Sequence, residues 1–283
     1  MKYYLFAKFF QNLSADSLMD TCAGLGIDGP TALIRDGYWV TEDALAETLP
    51  AFVRVAQTRG LEVRYADTDF RMPEIEKYEE KIRILKDNGI TQFRVGYIAK
   101  NAAGHVRDLA EYTRAAAEKT AALAEKIGIQ AVIQIHGAVY PHNATAAYMA
   151  VKGLNPRYIG IKIDPGNNLC QEGYELFDYQ IQLLSEYVAA IGAKDGGMVH
   201  HPQRAEEPAK GWCRMFAPAY EGAANYPLIY SELKKIGFNG PAVLMPFYYE
   251  NEFEKLLDCL KKEIQYFKKI EEIPSVTCGD SSL

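Results

Sequence analysis

The sequence predicts one α/β domain folded as a (β/α)8 TIM barrel. Three observations carry that expectation. Eight short apolar strand candidates alternate with amphipathic helical stretches along the chain, and that alternation calls for parallel strands joined by right-handed crossovers. Glycines stand where helices should end, at Gly26, Gly60, Gly89, Gly128 and Gly237, each placed for a left-handed C-cap. An open doubly wound sheet is the alternative, but its Gly-rich phosphate loop is replaced by "FFQNLSAD" after the first strand.

Taken in order, the strand candidates are YYLFAKF near the start, GPTALIR near 32, LEVRYAD near 64 and QFRVGYI near 95. QAVIQIH near 133, YIGIKID near 161, VAAIGAKD near 192 and PAVLMPF near 244 follow. Each is rich in β-branched or aromatic residues and bounded by polar breaks. Between them, ADSLMDTCAGLG, LAETLPAFVRVAQTRG and DLAEYTRAAAEKTAALAEKIG have helical spacing. PEIEKYEEKIRILKD sets carboxylates near lysines at helical intervals, as a solvated helix face does. The barrel is expected over residues 1–273, and the polar stretch 274–283 as a loose tail.

With 283 residues, 48% apolar and 24% charged, the chain suits a soluble protein with a large core. No apolar run reaches the ~18 residues needed to cross a bilayer, and the first residues read as a strand rather than a signal peptide. A formal charge of −6 argues against nucleic acid as a partner. Five scattered cysteines without a C-x-x-C pair suggest free thiols, a reducing cytoplasm and no structural zinc site.

In a (β/α)8 barrel the chemistry sits at the carboxyl ends of the strands. Read there, the chain offers Asp67 and Asp69 after strand three, Arg94 and Tyr97 on strand four, and Gln134 and His136 on strand five. Strand six gives Lys162, Asp164 and Asn167, strand seven Lys194 and Asp195, and strand eight Met245. His200, His201 and Trp212 fall in the following loop, where QRAEEPAKGW suggests a covering segment. Asp164 could also act as a turn former ahead of Pro-Gly-Asn-Asn, but a carboxylate at a strand end on the functional face favours a site role. Lys194 and Asp195 adjoin, so only one of them faces inward, and Lys194 is the expected one.

At these positions the chain resembles the xylose isomerase-like TIM barrels, the sugar phosphate isomerase and epimerase family. "LGIDGPTALI" is similar to the family's strand-two entry, "IQIHG" to its Glu-x-His-Gly, and "IDPGNN" to its Asp-x-x-His segment. "IGAKDG" resembles its His-x-Lys-Asp, and "ELKKIGFNGPAVLMP" its closing helix and last strand. The resemblance implies a divalent metal held by Glu, Asp, His and Glu from strands five to eight, with the glutamates exchanging protons with a sugar carbon. Position by position this chain carries Gln134, Asp164, Gly192 and Met245. Three of the four depart, and an amide, a glycine and a thioether supply neither hard anionic donors nor a base near pH 7.

The expectation is therefore a sugar isomerase or epimerase-like protein acting on a small sugar, polyol or keto acid without the family metal. Asp164, His136 and Lys194 are its expected catalytic groups, and Gln134, Asn167, Asp195, Trp212 and Arg94 its substrate contacts. Two alternatives stand beside it. One is a carbohydrate-binding or accessory barrel without turnover. The other is a Mn, Mg or Zn enzyme with relocated ligands at Asp164, His200 and His201. The expected partner is a small carbohydrate-like molecule, with a homo-oligomer compatible and neither nucleic acid nor membrane implied.

Overall fold

Runs of Val, Ile, Ala and Tyr form strands buried on both faces, and the computed structural model, which describes residues 1–171, 175–248 and 252–273, builds eight of them into one barrel. They are β1 (Lys2–Leu5), β2 (Gly29–Pro30, resuming as Ala32–Leu33), β3 (Tyr65–Asp67), β4 (Gln92–Arg94), β5 (Gln130–Gln134), β6 (Ile159–Ile163), β7 (Val188–Ala193) and β8 (Pro241–Leu244). Every barrel pairing is parallel. β2 closes the ring because its first half pairs with β1 and its second with β3.

Around the sheet run α1 (Ala15–Leu25), α2 (Leu45–Gln57), α3 (Glu79–Asp87), α4 (Leu109–Ile127), α5 (Ala144–Val151), the short α6 (Pro165–Cys170), α7 (Phe177–Leu184), α8 (Tyr226–Lys235) and α9 (Phe253–Glu271). Capping shows why they start and stop where they do. The Ser14 side chain accepts the Ser17 backbone N–H to open α1, and Gly26 closes it at φ 65°. The other four predicted cap glycines also have positive φ. The charged run around residue 80 is a 3-10 turn leading into α3, with Arg83 paired to Glu79 on its exposed face.

The apolar residues sort into two layers. Phe6, Leu33, Tyr65, Val132, Ala190 and Val243 fill the barrel interior, while the larger cluster packs sheet against helices. No helix among the described residues is long and apolar enough to cross a membrane. Cys22, Cys170, Cys213 and Cys259 are free thiols. Cys278 and the expected tail at 274–283 lie outside the described residues.

One element departs from expectation. The seventh strand was expected to run through Asp195, but it ends at Ala193, and Asp195 begins an antiparallel ribbon of Asp195–His200 with Trp212–Ala217. The Asp195 carboxylate explains the turn-off. It accepts the backbone N–H groups of Gly196 (2.6 Å) and Ala224 (3.0 Å), tying the ribbon root to the returning loop. Gly222 passes so close that a β-carbon there would lie 2.0 Å from the Asp195 carboxyl carbon. The stretch read as a covering loop is the far end of this ribbon.

Candidate functional site

Side chains along a strand alternate directions, so Gln134 at the end of the fifth strand and Lys162 in the sixth project to the barrel axis, with His136 and Asp164 just past the strand ends. Above them, at the carboxyl ends, lies a cavity of about 190 Å³. Its floor is organised by Asp164. One carboxylate oxygen accepts the Asn167 backbone N–H at 2.9 Å and caps α6. The other accepts the Gln134 side-chain amide at 2.7 Å and lies 3.4 Å from the Lys194 ammonium. The turn-forming reading of Asp164 describes the first oxygen, while the second is engaged with Gln134 and Lys194 behind the cavity lining.

Lys194 is 2% exposed. Its ammonium donates to the Asn167 side-chain oxygen at 2.5 Å and faces the Phe216 and Phe247 rings, 4.6 and 4.5 Å from their centroids. Burial lowers its pKa, and the neighbouring Asp164 opposes that fall. The Asn167 amide in turn donates to the Ile135 carbonyl at 3.2 Å. Gln134, Asp164, Asn167 and Lys194 thus form one connected polar network.

His136 points the same way as Gln134. Its Nδ1 lies 2.6 Å from the Gly137 carbonyl oxygen, so Nδ1 carries the proton and donates. That leaves Nε2 with its lone pair, facing the Gln171 amide at 3.4 Å. Burial lowers the imidazole pKa and favours this neutral form. Tyr97 lies against the ring at 4.7 Å and donates to the Gln134 side-chain oxygen at 3.1 Å.

The other wall is ionic. Arg94 is 4% exposed and bonds Asp69 at 3.1 Å, with Asp67 at 3.4 Å. Burial works against both Arg94 and Asp69, yet the ion pairing prevails and keeps each charged, with Asp69 also held by Arg35. Asp67 is different. It is 1% exposed, has Arg94 and Lys162 (4.0 Å) as charge neighbours, and accepts no hydrogen bond from any described residue at either oxygen. The Lys162 ammonium likewise has no hydrogen-bond partner among the described residues, and burial pulls its pKa down to about 8 against the opposing pull of Asp67.

The structure therefore gathers Arg94, Gln134, His136, Asp164, Asn167 and Lys194. It separates the rest. Asp195 is spent on the ribbon root. Trp212 stands half-exposed on the ribbon beside His200, whose Nε2 contacts the Lys210 carbonyl. His201 follows on the same exposed segment, and among the described residues no three His, Cys, Asp or Glu side chains gather as a metal site would need. The aromatic lining comes instead from Phe6, Tyr97, Phe216 and Phe247. Lys8 and Arg35 also line the cavity. Lys8 sits in the 3-10 turn Ala7–Phe10 just past the first strand, where strand parity no longer applies, so no sequence signal marked it.

The four strand-end positions where the resemblance places metal ligands can be compared with this geometry. At Gly192 a β-carbon would already lie 3.1 Å from the Asp164 oxygen and 3.2 Å from the Met245 sulfur. The remaining donors are one carboxylate, one amide already bonded at both ends, and one thioether. That set does not suit a hard divalent cation.

Comparison with known proteins agrees with the architecture. Among solved structures, an IOLI protein with a bound zinc atom is 14% identical, with TM-score 0.71 over 96% of this chain and 100% of that one. The probable 3-DHS dehydratase AsbF of Bacillus anthracis is 15% identical, with TM-score 0.69 over 95% and 99%. D-allulose 3-epimerase from Methylomonas sp. is 13% identical, with TM-score 0.67 over 95% and 98%. At such identities the likeness is one of fold. No curated protein matches in sequence. The model of the xylose isomerase-like TIM barrel matches residues 25–270, and the chain belongs to that family.

Proposed function

We propose that this barrel is an isomerase or epimerase-like enzyme acting on a small sugar, polyol or keto acid, and that it moves protons without a divalent metal. The observation that carries the proposal is the Lys194 ammonium. It is buried, seated against Asp164 and Asn167, and directed at the cavity. An ammonium there does electrostatically what a bound metal does for a carbonyl: it stabilises the negative oxygen that develops when a proton leaves the adjacent carbon. His136 Nε2 is the base. It takes the proton, the bonding pair moves to the oxygen beside Lys194, and the proton returns to either face of the same carbon or to its neighbour. Gln134 and Asp67 supply hydrogen bonds to hydroxyl groups. The relocated-ligand reading finds no support in the positions of His200 and His201.

Elemental analysis after dialysis without chelator, paired with turnover or sugar-binding assays before and after EDTA, tests this. Substoichiometric Mn, Mg and Zn with undiminished activity is the expected result. A stoichiometric divalent metal whose removal abolishes activity overturns it. Ligand binding without turnover on any sugar or keto acid would favour the accessory-barrel alternative.

A further inference from the structure

The cavity is lined by charges that do not balance. Lys8, Arg35, Arg94 and Lys194 face it, with Asp67 as the lining carboxylate. Counting Lys162, Asp69 and Asp164 immediately behind them, the cluster holds five cations to three carboxylates, in a chain whose formal charge is −6.

The excess has a location. Arg35 and Arg94 are bound by Asp69, and Lys194 by Asp164. Lys8 has no ion pair among the described residues. Its ammonium instead lies 5.1 Å from the centroid of the Phe247 ring, the same ring that Lys194 approaches at 4.5 Å, and 5.2 Å from that of Phe9. Two ammonium groups thus approach one aromatic ring, with a carboxylate beside only one of them. Like charges held this way repel, and an anion between them removes the penalty. The cavity, about 190 Å³, falls below the roughly 300–1,000 Å³ typical of pockets for drug-sized ligands, so the anion must belong to a small molecule.

We infer that Lys8 and Lys194 form an oxyanion subsite beside Phe247, and that the substrate is a small hydroxy-carbonyl compound carrying a carboxylate or phosphate. This rests on the cavity being the substrate site proposed above. The oxyanion end would sit towards Lys8, leaving its carbonyl between Lys194 and His136.

Calorimetry with three four-carbon probes tests it: erythrose, erythronate and erythrose 4-phosphate. The expected result is that at least one anionic probe binds roughly tenfold or more tightly than erythrose, and that Lys8→Met brings the ratio close to one. Which anion gains identifies the carboxylate or phosphate source. Lys8→Gln repeats the measurement if the Met variant folds poorly, as judged by its melting curve. Gln134→Ala, a neutral change on the cavity floor, separates the two levels of argument. Equal wild-type affinity for all three probes, each weakened by Gln134→Ala, overturns the oxyanion subsite and leaves the substrate site standing. An anion preference that survives loss of Lys8 also overturns it. If Gln134→Ala weakens none of the probes, the cavity is not their site and the inference falls with it.

Discussion

The two mouths of the barrel invite opposite conclusions if judged by size and by chemistry. The amino end opens into the larger depression, about 610 Å³ against about 190 Å³ at the carboxyl end. Lys2, Arg64, Lys86 and Arg157 stand around it, so it too is basic. Yet its groups are largely spent on one another. Lys2, Tyr4 and Arg64 all converge on Glu62. Arg64 and Lys86 bond the Gly89 and Gly128 carbonyls, the exposed Arg157 stacks on Tyr158, and Gln92 bonds Gln130. Of the buried polar atoms lining it, only the Tyr65 hydroxyl lacks a partner. At the carboxyl end, among the described residues, a buried carboxylate accepts no hydrogen bond and Lys8 has no counterion. Unsatisfied polar groups, rather than volume, distinguish a place built to receive something from a place built to hold the barrel together.

Substitutions at the two ends should behave accordingly. The largest effect is expected at Asp164→Ala, which strips Lys194 of its carboxylate and α6 of its cap. A stability loss of about 3 kcal/mol, the scale for breaking a buried ion pair, should accompany weakened ligand binding with the fold retained. Urea unfolding and calorimetry would measure both. A variant that binds every confirmed ligand as before would remove Asp164 from the site.

Lys162→Met should act in the opposite direction. The buried ammonium has no hydrogen bond among the described residues, and its pKa is lowered from 10.5 to about 8. The folded state therefore binds its proton less tightly than the unfolded chain, and the cost of burying the charge is fully present below pH 8. The Met variant should be more stable than the parent by about 2–3 kcal/mol at neutral pH. That advantage should shrink as pH rises from 8 to 10.5 and the parent lysine loses its charge. Melting curves across that range decide the matter, and a pH-independent difference would exclude the charge as its cause.

The smallest effect belongs to the amino end. Glu62 has its pKa pulled down to about 2, because its bonds to Lys2, Tyr4 and Arg64 outweigh partial burial. Being part-exposed, the cluster is worth at most about 1 kcal/mol. Glu62→Gln should lower stability by that much above pH 4.5, with the difference fading as pH falls towards 2, and should leave ligand affinity unchanged. A change in affinity would break the division between the two ends.

The fold was legible because strand and helix periods are local. Seven of the eight barrel strands fall within the stretches read from alternation, the first begins one residue earlier at Lys2, and the five cap glycines take the backbone conformation their positions implied. The polar residues of the last four strands were legible by parity, since 134 and 136, or 162 and 164, must share a direction. The ribbon was not. Its arms, DGGMVH and WCRMFA, leave Met198, Val199, Trp212 and Met215 exposed, so no alternation marks a buried face. Without its register, Trp212 and Phe216 look equally suited to line a pocket, although only Phe216 does. Lys8 was obscured for another reason. A single cation just past a strand resembles any solvated lysine until the rings of Phe9 and Phe247 are seen beneath it.

That ribbon also bears on how the site breathes. The outer half of the ribbon, beyond the Asp195 tie and the packing of Phe216 on Phe247, is held mainly by its own ladder, so its amides should exchange with solvent through local openings far less costly than global unfolding. Barrel amides on neighbouring strands have no such route. Because Phe216 belongs to the ribbon and covers Lys194, each opening that reaches it would admit water to that ammonium and carry its proton affinity back towards an ordinary lysine's. The ribbon's local stability would then govern how long the reactive amine stays dry.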